Sequence, residues 1–105
     1  MTESQSHKRA KRKAAGRSGR TEVPLKGAQR LDAKTKSGKT ATEVERSGTA
    51  AGLGKAAGRL KKSRSKQKVL QVPQKDMAKA AAAMRKAGVK GSVKNMTGSK
   101  RRSVQ

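Results

Sequence analysis

Residues Arg30–Arg46, RLDAKTKSGKTATEVER, decide how this chain folds. They form two alternating runs that meet at Ser37-Gly38, a small-residue pair suited to the turn of a β-hairpin. With a two-residue turn there, cross-strand partners have residue numbers that sum to 75. Asp32 then lies opposite Glu43, Arg30 opposite Glu45 and Lys34 opposite Ala41, and strand alternation puts all six on one face. The other face carries Leu31 against Val44, Ala33 against Thr42 and Thr35 against Thr40. The chain has only six acidic residues, and three of them (Asp32, Glu43 and Glu45) fall on the charged face. Like charges directly opposite each other destabilise a sheet unless something compensates. The expected compensator is either the flanking Arg30 and Lys34 or a bound cation.

Outward from the hairpin, Thr21–Lys26 reads as a short first strand, confined to a sheet edge because Pro24 has no N–H to donate. On the other side, Ser47-Gly48-Thr49 combines a turn with a helix N-cap. From about Ala50 to Ser63, Leu53, Ala56, Ala57 and Leu60 recur at i, i+3, i+4 and i+7, the apolar stripe of a helix. Gly52, Gly54 and Gly58 each weaken that helix by about 1 kcal/mol relative to alanine, so it needs tertiary support. Lys61–Lys68 is a basic loop, Gln67–Val72 a strand that Pro73 stops, and Gln74–Ala87 a second helix with Met77, Ala80, Ala81 and Met84 on its apolar side. Gly88 is a suitable residue to end it. Val89–Met96 adds a final short strand. The expected order is β-β-β-α-β-α-(β), an α/β fold with a small mixed sheet. Residues 1–20 are expected to be a disordered basic arm, 21–96 the α/β domain and 97–105 a basic tail; Ala10, Ala14 and Ala15 would let the arm form a helix on nucleic acid.

Composition narrows the function. The chain has 105 residues, room for one small domain, and carries 29 lysines and arginines for a formal charge of +23. Such a balance points to polyanions, nucleic acid before membrane. Cysteine is absent, which excludes disulfides and thiolate zinc sites, and the single histidine, His7, cannot form a histidine cluster. No apolar run approaches the roughly 18 residues that cross a bilayer, and the start lacks a signal-peptide hydrophobic region. The expectation is a soluble intracellular protein of the cytoplasm or nucleoid (the nucleus in a eukaryote) with no membrane partner. No aromatic residue is present, so base-stacking surfaces are excluded. The large apolar residues are five leucines, seven valines and four methionines, so the core must be thin. At this net charge, so little apolar residue is the usual composition of a disordered chain.

The residues of the hairpin also carry a resemblance. An Asp on the first strand and Glu-x-Glu on the second, followed by a helix and a parallel strand, resembles the PD-(D/E)xK nuclease core of restriction enzymes over residues 21 to 73. The resemblance implies that Asp32 and Glu43 hold a divalent metal such as Mg²⁺. Glu45 takes the third catalytic position, where the family usually has a lysine that activates the attacking water. Leu31 stands where the family often has proline, and the acidic helix that often precedes the hairpin is not visible. Lys34 lies on the same face and is a candidate for the missing cation.

Other chemistry is poorer. Gly52–Gly58 (GLGKAAG) places its glycines inside a helical stripe rather than in a strand-to-helix turn, and Gly54-Lys55-Ala56 is not a P-loop. The reading is therefore a nucleic-acid-binding protein, for DNA or RNA, that contacts phosphates with little base specificity and needs no cofactor. The expected contacts in the arm are Lys8, Arg9, Lys11, Arg12, Lys13, Arg17 and Arg20. In the domain they are Lys55, Arg59, Lys61, Lys62, Arg64 and Lys66, and in the tail Lys100, Arg101 and Arg102. The alternatives are a Mg²⁺-dependent endonuclease and a structural component of an RNA–protein assembly.

Overall fold

A computed structural model describes residues 5–16, 19–24, 30–35 and 38–105. Helix α1 (Gln5–Ala15) precedes three strands, β1 (Arg20–Pro24), β2 (Arg30–Lys34) and β3 (Thr40–Val44). Helix α2 (Ala50–Lys62), strand β4 (Gln67–Gln71), a 3₁₀ turn (Gln74–Asp76), helix α3 (Met77–Ala87) and strands β5 (Gly91–Lys94) and β6 (Arg101–Val104) follow. The six strands form one sheet in chain order. Pairing is antiparallel from β1 to β3, parallel from β3 to β5 and antiparallel again to β6. This is the α/β fold with a small mixed sheet that the periodicities predict.

The hairpin register is also as expected, with Ala33 opposite Thr42 and Lys34 opposite Ala41. Its loop is longer than two residues, however. The Thr35 amide bonds the Thr40 carbonyl at 3.1 Å, so four residues intervene, of which Lys36 and Ser37 lie outside the described residues. Thr35 and Thr40 still sum to 75, so the register is unchanged. Gly38, at φ +74°, supplies the left-handed residue that closes the turn, and its amide bonds the Thr35 carbonyl at 2.9 Å.

Helix α2 lies where its sequence predicts, and α3 ends as predicted but begins three residues later, after the 3₁₀ turn Gln74–Asp76. The Thr49 hydroxyl accepts from the Gly52 amide at 3.0 Å and caps α2. Leu53, Ala56, Ala57 and Leu60 are its buried stripe. The α3 helix ends at Gly88 with the Val89 amide bonded back to the Met84 carbonyl at 2.8 Å. Both helices lie on one side of the sheet, packing Leu53, Leu60, Ala80, Ala81 and Met84 against Leu70, Val72 and Val93. Gln71 and Lys94 alternate with Leu70 and Val93, so they face the other way, and there they line a small cleft with Ala10, Lys13 and Ala14 of α1. The molecule thus has three layers, with α1 alone on the second face.

Both chain ends depart from expectation. Residues 5–15 are a docked helix, with Ala10, Lys11 and Ala15 buried at 6%, 3% and 3% exposure. Its alanines let the backbone approach the sheet, and Lys11 meets acidic partners there. Strand β6 replaces the expected free tail. Asn95 makes the connection: its amide bonds the Lys100 carbonyl at 3.1 Å, and its side-chain oxygen accepts from the Lys100 amide at 3.1 Å. Val104 is brought into the core at 2% exposure. No helix among the described residues is long and apolar enough to cross a membrane.

Candidate functional site

The hairpin strands stop pairing regularly just where the acids begin. Beyond Ala33–Thr42, side chains enter the ladder in place of backbone groups. The Asp32 amide donates to Glu43 Oε2 at 2.8 Å, and the Val44 amide donates to Asp32 Oδ2 at 2.8 Å. Each carboxylate thus takes a backbone N–H that a regular antiparallel pair would give to a carbonyl. Asp32 and Glu43 meet across the hairpin as the register requires, each accepting a backbone N–H from the other's strand. Glu43 is fully buried. Burial first, and then the adjacent Asp32, push its carboxyl pKa up to about 9. At neutral pH Glu43 therefore keeps its proton.

The sequence missed a third acid in this row. Thr21 pairs with Ala33 and Val23 with Leu31, which sets Glu22 opposite Asp32. Glu22, Asp32 and Glu43 thus follow one another across β1, β2 and β3. Glu22 is the only non-glycine with positive φ (+53°) among the described residues, a conformation that costs energy and so marks a local constraint. Its Oε1 accepts from the buried Lys11 Nζ at 2.7 Å, and the same Nζ lies 3.9 Å from Asp32 Oδ1. His7, one helical turn earlier, sets Nε2 3.5 Å from Asp32 Oδ2. From the opposite layer Arg59 Nη1 donates to Glu43 Oε1 at 3.2 Å.

Among the described residues the compensators of the acidic row are therefore Lys11, His7 and Arg59, and Lys34 is not one of them. Lys34 has its side-chain end beside Gly38, and the Arg30 side chain lies outside the described residues. The expectation of a single charged face is corrected in the same way: Asp32 is engaged from the α1 layer and Glu43 from the α2 layer. Glu45 does not join them. It lies past the end of β3, where its Oε1 accepts from the Ser47 amide at 3.0 Å and its carboxyl packs by Gly52. There it supports the N-terminus of α2, where a negative charge is favourable.

A divalent metal can be tested against these donors. Two adjacent carboxylates are oxygen donors of the kind a magnesium-like ion takes, and such an ion would have to displace the proton on Glu43 and the backbone N–H groups that the pair accepts. No group of three His, Cys, Asp or Glu side chains among the described residues is placed to hold a metal, so an ion that demands three protein ligands does not fit.

Compared with known protein families, curated proteins and solved structures, the chain matches none.

The predicted phosphate contacts divide into two groups. Lys8, Arg9, Arg12, Lys13 and Arg20 are exposed in the N-terminal region, as are Lys55, Lys61, Lys62, Arg64 and Lys66 around α2 and its following loop. Lys100, Arg101 and Arg102 are exposed at β6. Lys11 and Arg59 instead turn inward to the carboxylates, and Arg17 lies outside the described residues. The described acids are all engaged within the fold: besides the row of three and Glu45, the buried Asp76 lies 4.0 Å from Lys79 Nζ. Of the six, only Glu3 lies outside the described residues.

Proposed function

We propose that this protein binds nucleic acid, DNA or RNA, through phosphate contacts from its lysines and arginines, acting in the cytoplasm or at the nucleoid. One observation carries the reading: in a chain of net charge +23, the five described acids are engaged in hydrogen bonds and ion pairs within the fold, whereas most of the described lysines and arginines are exposed. A surface of one sign attracts polyanions by releasing their counterions, which makes affinity steeply salt-dependent and nearly indifferent to sequence. Titration against two unrelated duplexes and one RNA at two salt concentrations tests it. A steep salt response with similar affinities is expected; a flat response, or a large preference for one sequence, overturns it.

The Asp32–Glu43 pair favours a second reading, a metal-dependent nuclease of the PD-(D/E)xK type. What supports it is the meeting of the two acids at the point where β2 and β3 part, on a hairpin followed by a helix and a parallel strand. Asp32 and Glu43 would hold Mg²⁺, which supplies charge neutralisation and an activated water at the phosphate. Lys11 and Arg59 orient the two carboxylates from opposite layers. Purified wild type and Asp32→Ala are incubated with plasmid and with RNA, in Mn²⁺ or EDTA. Metal-dependent cleavage by wild type, lost in Asp32→Ala while binding persists, is the expected outcome. No cleavage by wild type on either substrate removes the enzyme, and equal cleavage by both proteins shows a contaminant.

A further inference from the structure

On the α1 face, at some distance from the acidic row, three cations converge. Lys94 of β5 pairs directly with Arg101 of β6, a cross-strand juxtaposition of like charges. Lys13 of α1 lines the same cleft as Lys94, together with Gln71, Met96 and Thr97. The Lys94 side chain is half-buried. Among the described residues no carboxylate lies within ion-pair distance of Lys13, Lys94 or Arg101, because the described acids are committed elsewhere. Burial first, then Arg101 and Lys13, hold the Lys94 ammonium pKa below its usual value. The fold thus brings together three positive groups with no internal compensation.

We infer that Lys13, Lys94 and Arg101 form a phosphate-binding site, centred on Lys94. A phosphate offers oxygens to several donors at once and neutralises the repulsion between them. Val44 pairs with Gln71 and Gln71 with Lys94, so the site lies two strands from β3, about 10 Å at the usual strand spacing. That separation is short enough for one bound polyanion to span both places. Lys94 is absent from the basic clusters that the sequence makes prominent, and it becomes central only when α1 and β6 close around it.

The chemistry is that of a phosphate group, whether in a nucleic-acid backbone or free in solution; only the backbone arm rests on the function proposed above. In the first arm, the thermal midpoint of the full chain is followed as inorganic phosphate replaces chloride at constant ionic strength. Phosphate should raise the wild-type midpoint. Lys94→Met should lose that increment yet melt higher than wild type in chloride, because its repulsion is gone. Arg101→Gln, an exposed change that leaves the core untouched, should lose part of the increment. Lys86→Met, on the exposed side of α3, should keep it. In the second arm, duplex affinity is measured against salt. Loss of one phosphate contact in Lys94→Met should reduce the magnitude of the log–log slope by about 1. A changed slope assigns the site to backbone phosphate, and an unchanged slope with a lost increment assigns it to free phosphate. Absence of any wild-type increment, its survival in Lys94→Met, or its equal loss in Lys86→Met overturns the site.

Discussion

The two halves of the sheet are held together by different physics. Under α2 and α3, strands β4 and β5 meet leucine, valine, alanine and methionine side chains in an apolar contact. Under α1, strands β1 to β3 present a row of acids that Lys11 and His7 reach from above and Arg59 from behind. The apolar half gains stability from removing surface from water, which is non-directional and roughly proportional to area. The acidic half removes charges from water, and the loss of hydration is offset only where partners and geometry are good. The first half should therefore dominate stability, and the second should make it sensitive to pH.

The largest test of that contrast is Leu60→Ala. Leu60 is fully buried between α2 and the sheet, so its truncation should cost about 2–5 kcal/mol in urea unfolding. A loss well under that range would mean that the helical layer contributes little, and the contrast would fail.

The next effect belongs to Glu43. Its folded pKa of about 9 exceeds the ordinary value of 4.5, so between those limits the native state keeps a proton that the unfolded chain has released. Stability should therefore be highest in acid and fall as pH rises toward 9, by about 1 kcal/mol per pH unit for one proton. Urea midpoints in EDTA at pH 6 and pH 8 measure the slope. Glu43→Gln should flatten it, and an equal slope in the variant would place the titration elsewhere.

The smallest effects sharpen the account of α2. A Cβ built at Gly54 or Gly58 meets nothing within 4 Å, so alanine there should gain up to about 1 kcal/mol each. Gly52 should behave oppositely, since its Cβ would lie 2.5 Å from Ser47 Oγ and 2.9 Å from the capping Thr49 Oγ1. Thermal melts of the three single variants distinguish the positions. A gain at Gly52 would show that the cap can shift without loss.

The same contrast explains what could be read from the sequence. Leu53, Ala56, Ala57, Leu60, Ala80, Ala81 and Met84 were legible because burial of apolar groups follows the period of the element that carries them. The register of β2 and β3 was legible because a period of two leaves few alternatives. Lys11 was not, because a buried lysine looks like any other lysine in the run KRAKRK until its acidic partners are placed. Glu22 was missed for a related reason: it meets Asp32 only when β1 pairs with β2. In β6, Val104 is a lone apolar residue in a basic stretch, although Asn95–Lys100 (NMTGSK) carries small turn-forming residues. Polar burial depends on distant segments, and no local period reports it.

The rims of the sheet have a consequence for how copies of this protein behave when crowded. An outermost strand with free backbone groups is a template for a neighbour's strand, and rows of such contacts grow into ribbons. At one rim β1 ends in Pro24, which withholds a donor. At the other, exposed Arg101 and Arg102 carry like charges to the place where another copy's rim would dock. Molecules gathered at high local concentration should therefore stay discrete, as beads rather than a continuous filament.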